Sequence, residues 1–535
     1  MNERTGWPIA VADYVVVGTG SAGSVVAERL SADERNNVLV LEAGPEDDDR
    51  RIHMPVTWLQ LFRSKFDWDY LTEPQPALNG RRIYWPRGKT LGGSSSLNAM
   101  MWVRGFAADY DEWARHAGPD WAFSRVVEYF KRIERLEDAR EPDEGSAGPL
   151  YISRQRSPRR STAAWLAAAG QSGYVIERPN LPRPQGFSEF VVTQRRGARW
   201  SAADAYLRPA LRRENLTLLT QATATRVIFE GRRAVGVEFR QNHRRQFVRA
   251  RREVVLCAGT VNSPQLLMLS GIGKGEQLRS HDIEVVHDSP QVGANLQDHL
   301  VAVLGFQARG DTLFAAGRPM HVANYLIRRR GMLSSSAGEA YGFVRSRPEL
   351  ALPDLELFFG PGPFFDEGLV EPPGHAVTFG PILLKPHSRG RIALRSPDPT
   401  AKPIIDPRYL SDRDGRDREA MMEGLRICAK IADAPPLKQL LGPILRPLGA
   451  TEISEETLES ALNDEARTFY HPVGTCRMGT DAASVVTPRL EVRGVEGLRV
   501  ADASVIPTII RGHTHAPSMV IGAKAADLIA DATCS

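Results

Sequence analysis

The tightest constraint on this chain lies between residues 13 and 42. Asp13 to Val17 reads DYVVV, an apolar β-branched run of the kind buried inside a parallel sheet. It leads directly into Gly18-Thr19-Gly20-Ser21-Ala22-Gly23 and then into SVVAERLSA, which has helical spacing. Gly18 permits a tight turn, Gly20 lets the backbone approach a pyrophosphate, and Gly23 lets helix and strand pack closely. Phosphate then rests on the free N–H groups around Ser21 and Ala22, at the positive end of the helix. A second strand, Val38 to Leu41, ends at Glu42, 19 residues beyond Gly23. A carboxylate there can accept hydrogen bonds from an adenosine ribose. Strand, glycines, helix, strand and terminal acid in register predict a Rossmann-like α/β unit that binds a dinucleotide. The motif does not by itself separate FAD from NAD; an acid at residue 42 disfavours only a 2′-phosphate.

At 535 residues the chain exceeds one ordinary core, so a second domain is expected. Its 68 basic and 64 acidic residues leave a net charge of +4. The nearest approach to a basic patch is Arg232 to Arg252, where the alternation suits a solvated hairpin; nucleic-acid binding is not expected. Four cysteines form no CxxC pair or disulfide framework, and Cys257 reads as a small buried hydrophobe. No leader pattern opens the sequence and no run of 18 apolar residues follows. A cytoplasmic protein with at most peripheral membrane contact is the expectation. The serine-containing segments lack a GxSxG elbow, which leaves a hydrolase without footing.

More motifs follow: WPRGKTLGGSSSLNAMMWVRG from Trp85, GTVNSPQLLMLSGIG from Gly259, VGANLQDH from Val292 and KPHSRGRIAL from Lys385. YHPVGTCRMG from Tyr470, VADASVIPT from Val500 and GHTHAPSMVIGAKAADLI from Gly512 complete the series. In this order, from about residue 12 to 529, the chain resembles the glucose–methanol–choline (GMC) family of FAD oxidoreductases. The likeness is nearest to its choline dehydrogenase and bacterial alkanol dehydrogenase members. Small residues such as Gly92 and Ser94 let backbone pass a flat ligand while offering N–H and hydroxyl donors. The resemblance implies that Gly92, Ser94, Asn98, Ala99 and Met101 lie against the isoalloxazine ring. It also implies that Val227 meets the adenine through its backbone and that VVLCAG (254–259) forms a sheet edge covering the adenine side. Asp502 would orient the ribityl and pyrophosphate segment. Leu97 stands where some members carry a histidine that attaches FAD covalently, so the FAD is expected to be non-covalent.

Oxidising an alcohol requires a proton taken from oxygen and a hydride taken from carbon; the flavin accepts the hydride and the protein supplies the base. Of twelve histidines, His471 and His513 stand apart, in loops rich in Gly and Pro beside segments that read as parts of the flavin sheet. By resemblance His471 is the general base and His513 a second hydrogen-bonding group on the same oxygen. At residue 513 the choline and alkanol dehydrogenase members generally carry Asn. His515 reads as lining the site on the cofactor side, and no metal site is expected from the three histidines. The expected reaction is oxidation of a primary alcohol, hydrophobic or aromatic, to an aldehyde. A quinone or dye is favoured as acceptor over O₂. Alternatives are choline dehydrogenase proper, an FAD-containing lyase of the hydroxynitrile lyase type, and a non-catalytic flavin-binding protein.

The motif positions predict an FAD domain assembled from residues 1–149, 197–301 and 461–535. Residues 150–196 and 302–460 then form an α+β substrate domain, with AVTFGPILLK and RGRIALRS as strands of an antiparallel sheet backed by a helix over 414–432. LELFFGPGPFFDEG (355–368) places four phenylalanines either on a wall of the substrate site or in an ordinary strand and turn. Glu339 matches a carboxylate of the choline dehydrogenase group. Arg511, beside the 512–513 loop, is expected to favour an acidic or strongly polar substrate. No full aromatic cage for a quaternary ammonium is legible.

Overall fold

A computed structural model describes residues 9–370 and 374–534. The N-terminal residues 1–8, on which the reading of the chain's start rests, and the side chain of Cys534 lie outside them. Among the described residues, Cys257, Cys428 and Cys476 are buried free thiols.

Ile9–Val17 and Val38–Leu41 pair in parallel, with Leu216–Leu219 beyond the latter. On its other side Ile9–Val17 pairs in parallel with Arg244–Leu256, a strand long enough to serve two neighbours. The first half of Arg244–Leu256 continues antiparallel into Arg233–Gln241 and Thr223–Glu230; its last residues pair in parallel with Leu498–Val500. The 254–256 segment therefore lies in the interior of the sheet, not at an edge, because Leu498–Val500 covers its far side. Val15, Val16, Val40 and Val255 are fully buried, as an apolar run inside a parallel sheet requires. The Arg-rich stretch is the antiparallel pair Arg233–Gln241 and Arg244–Leu256.

Helix Ser21–Leu30 packs against the C-terminal helix His515–Cys534. Gly522 sets their approach: a Cβ there would lie 2.5 Å from the Ala22 carbonyl oxygen.

A second, antiparallel sheet runs Leu441–Arg446, Leu304–Ala308, Ala376–Leu383, Leu355–Gly360, Ala340–Val344, Phe187–Glu189. Arg416–Asp433 and Arg160–Gln171 back it, with Trp165 stacked on Phe359 at 5.4 Å. The molecule is thus α/β in one layer system and α+β in the other. Two local expectations differ. RGRIALRS contributes Arg391–Ala393 to a separate two-stranded ribbon with Ile404–Asp406. Arg467–Thr468, just ahead of His471, pairs antiparallel with Leu300–Val301 in the second sheet and is no part of the first. The first histidine is therefore carried by the second sheet, and the second by the start of the C-terminal helix. Among the described residues no helix is long and apolar enough to cross a membrane.

Candidate active site

One cavity of about 930 Å³ runs between the two sheets, bordered at one end by Glu42 and at the other by His471 and His513. That volume lies at the upper end of ordinary ligand sites. Gly18, Gly20, Ser21 and Ala22 line its first part. The helix Ser21–Leu30 starts there with no side-chain cap, so its first N–H groups remain available to an anion. A Cβ at Gly20 would meet nothing within 4 Å, so the backbone faces open space. At Gly23, off the cavity wall, a Cβ would lie 2.0 Å from the Gly18 carbonyl oxygen. This glycine serves the close strand–helix contact. Glu42 and Asp502 border the cavity, but both carboxylates are already held by the protein. Glu42 accepts from Thr19 N, Thr19 Oγ1 and Gly44 N at 3.0, 2.6 and 2.8 Å. Asp502 accepts from Gly259 N and Ser263 Oγ through one oxygen and from Ser504 N through the other. Burial pushes both carboxyls up, and these donors oppose it.

Ser94, Asn98, Ala99 and Met101 line the middle of the cavity. Gly92 does not: it turns the chain at φ +82°, and Gly93 presents the backbone instead. Val227 also falls outside the lining, with its N–H donated to Ser270 Oγ at 2.8 Å; residues 222–224 border that end. Arg199, missed in the sequence, braces the loop from beneath. It is 2% exposed and donates to Ser95 O, Asn98 Oδ1 and Ile52 O. No carboxylate among the described residues bonds it, and burial holds its guanidinium down at about 9. Its neighbour charge and, above all, burial hold His515 at about 3, a neutral ring whose Nδ1 lies 2.8 Å from Ser21 Oγ. His515 thus joins the glycine turn and does not face the other two histidines' bonding partners.

His471 and His513 lie with ring centroids 4.6 Å apart, and both line the far end. His299 lies behind His471: its Nδ1 is 3.0 Å from His471 Nδ1, and its Nε2 is 3.1 Å from both Leu384 O and Ile510 O. Carbonyl oxygens only accept, so Nε2 of His299 carries the hydrogen. Burial, and then the nearby His513, hold His299 down at about 3, so its Nδ1 is a bare acceptor. His471 must donate from Nδ1 to that acceptor, which leaves its own Nε2 unprotonated. Burial and the neighbouring His513 also hold His471 well below 6.5. Asp298 fixes the backbone here by accepting from His471 N at 2.9 Å, and also from Tyr409 and Thr468 hydroxyls. On the opposite side, fully buried Glu356 lies 3.1 Å from His513 Nε2 and fixes that ring.

His299, Asp298 and Glu356 went unrecognised in the sequence. The first two end the VGANLQDH motif and Glu356 sits in LELFF, but neither stretch reveals which histidine it meets. Of the four phenylalanines in 355–368, Phe358 and Phe364 line the cavity, whereas Phe359 and Phe365 pack elsewhere. Trp58, Phe62, Phe364 and Tyr470 form a chain of ring contacts at 5.4 to 5.9 Å along the same wall. This aromatic wall drew on residues some 400 positions apart and was not legible locally. Glu339 and Arg511 do not face the cavity. Glu339 is buried, accepting from Ser335, Thr162 and Arg159 N. Arg511 donates to Asp109 and to Pro353 O, so its charge is spent on a buried carboxylate and not on substrate.

The N-terminal GMC oxidoreductase family model matches residues 12–301 and the C-terminal one residues 386–522. An uncharacterized GMC-type oxidoreductase of Mycobacterium tuberculosis is 66% identical over 97% of this chain and 99% of its own length. An alcohol dehydrogenase [acceptor] of Pseudomonas putida is 41% identical over 97% of this chain and 95% of its own. Among solved structures, pyridoxine 4-oxidase from Mesorbium loti superposes with a TM-score of 0.87 at 32% identity, covering 96% of this chain and 98% of that one.

Proposed function

The chain belongs to the GMC oxidoreductase family and is an FAD-dependent oxidoreductase; from that premise we propose that it oxidises a neutral, hydrophobic or aromatic primary alcohol to the aldehyde, with His471 as the base. The single observation carrying this reading is the bare Nε2 that the His299 contact leaves on His471. Bound FAD supplies the hydride acceptor. The uncapped helix at Ser21, the glycine backbone at 18–20 and the Ser94–Met101 loop would hold it, and Leu97 leaves it without a covalent link. His471 Nε2 takes the hydroxyl proton, while His513, its Nε2–H given to Glu356, steadies the charge growing on that oxygen through Nδ1–H of the imidazolium that pairs with the Glu356 carboxylate. Phe358, Phe469 and the Trp58–Tyr470 wall exclude water and favour an apolar carbon skeleton.

A quaternary ammonium alcohol is the second reading, favoured by the same aromatic wall. Against it, the carboxylates among the described lining residues are Glu42 and Asp502, both at the nucleotide end. Anaerobic mixing of the yellow holoenzyme with aromatic, aliphatic and quaternary alcohols separates the two. Bleaching of the flavin band by neutral alcohols and not by choline is expected. Bleaching by choline alone would reverse the assignment, and bleaching by none would remove alcohol oxidation altogether. Re-oxidation by a quinone much faster than by O₂ is the expected acceptor preference.

A further inference from the structure

Pro319–Arg328 forms a helix at the rim of the cavity that buries little of itself. Tyr325 is its one buried residue, and Val322, one turn earlier on the same face, lines the cavity. The opposite face is apolar: Met320, Ala323 and Ile327 follow one another at i, i+3 and i+7, with Leu326 alongside. Met320 is 69% exposed, Leu326 61% and Ile327 81%, far beyond a scatter of single surface hydrophobes. Phe314 and Val370 are 42% and 52% exposed and also line the cavity, so the apolar surface continues to the cavity's opening.

Arginines flank this face. Arg318 precedes the helix, Arg328 ends it, and Arg329 and Arg330 follow, all exposed. No carboxylate among the described residues forms an ion pair with any of the four; Arg329 instead lies 5.0 Å over the Tyr325 ring. The helix thus presents protruding apolar side chains flanked by cations that no carboxylate among the described residues neutralises. They match a fluid apolar layer beneath a negatively charged surface.

We propose that this face docks the enzyme on an anionic phospholipid bilayer, with the helix lying in the headgroup plane and the cavity opening towards the acyl chains. Met320, Leu326 and Ile327 enter the interface while the four arginines pair with lipid phosphates. The opening then draws apolar molecules from the bilayer without passage through water.

The test is co-sedimentation of the holoenzyme with vesicles of phosphatidylcholine alone or mixed with phosphatidylglycerol, at low and high salt. Binding to the anionic vesicles only, lost as salt rises, is expected. Removing three charges (Arg328→Gln, Arg329→Gln, Arg330→Gln) is expected to weaken binding roughly fivefold per charge. Met320→Gln with Leu326→Gln and Ile327→Gln is expected to abolish binding while retaining FAD and turnover of a water-soluble alcohol, since none of the three lines the cavity. A wild-type holoenzyme that stays in the supernatant with both vesicle types at low salt overturns the proposal. So does a solution dimer that the triple apolar variant converts to monomer, which would assign the face to a second copy of the chain.

Discussion

At the scale of single residues the site depends on which nitrogen of each histidine holds a proton. His299 decides this for His471 because its own Nε2 is committed to two carbonyl oxygens. Replacing His299 by Phe removes the acceptor and frees the His471 ring to adopt either tautomer. The expected outcome is a fall in the flavin reduction rate of about 10²-fold, the low end of what a positioned base contributes, with FAD content unchanged. His299→Asn, which can still accept, should recover part of that loss, a rescue that a merely space-filling role for His299 would not show. Glu356→Gln is expected to cost about tenfold in the same rate, as a neutral amide still orients His513 without its charge. The two principal histidines were legible in the sequence because their Gly- and Pro-rich loops mark them out. Their partners were not: His299 and Glu356 meet them only through pairings 172 and 157 residues apart in sequence.

Among the elements, the glycine turn and its helix were the most legible, since strand, turn and helix follow one another in fewer than 35 residues and every requirement is local. Gly20 and Gly23 nevertheless carry separate burdens. Gly23→Ala places a methyl 2.0 Å from the Gly18 carbonyl and must push helix from strand. A stability loss of about 1–3 kcal/mol, measured by denaturant unfolding, is expected together with loss of FAD. Gly20→Ala meets open space, so its unfolding curve should match the parent's while its FAD affinity falls. Equal destabilisation by the two would refute this division. Where the sequence misled, distant pairing was responsible. VVLCAG became an interior segment through Leu498–Val500, and Arg467–Thr468 joined the second sheet through Leu300–Val301. Neither partner can be inferred from an apolar run alone.

Across the whole molecule, burial of neutral histidines at the junction of the two sheets couples stability to pH. His299 is held at about 3 against an ordinary 6.5. Between those values the unfolded chain takes up a proton that the native ring refuses, so stability falls as the solution is acidified. His515 acts in the same direction. Asp298 opposes them: burial raises it to about 6 from 3.8, so its contribution is present at low pH and is lost as pH rises through 6. Glu42 and Asp502, also raised by burial, act with Asp298, and His471 acts with the other two histidines; the part that His299 contributes is a loss of stability on acidification from pH 6.5 to 5. His299→Gln is expected to flatten that slope in thermal unfolding of the holoenzyme at saturating FAD. An unchanged slope would place the pH dependence elsewhere. The most direct test of the proposed chemistry is the anaerobic reduction rate of His471→Ala against the parent enzyme, both loaded with FAD and mixed with a hydrophobic primary alcohol. A loss of at least about 10²-fold at equal flavin content is the predicted result. Reduction at the parental rate would contradict His471 as the base.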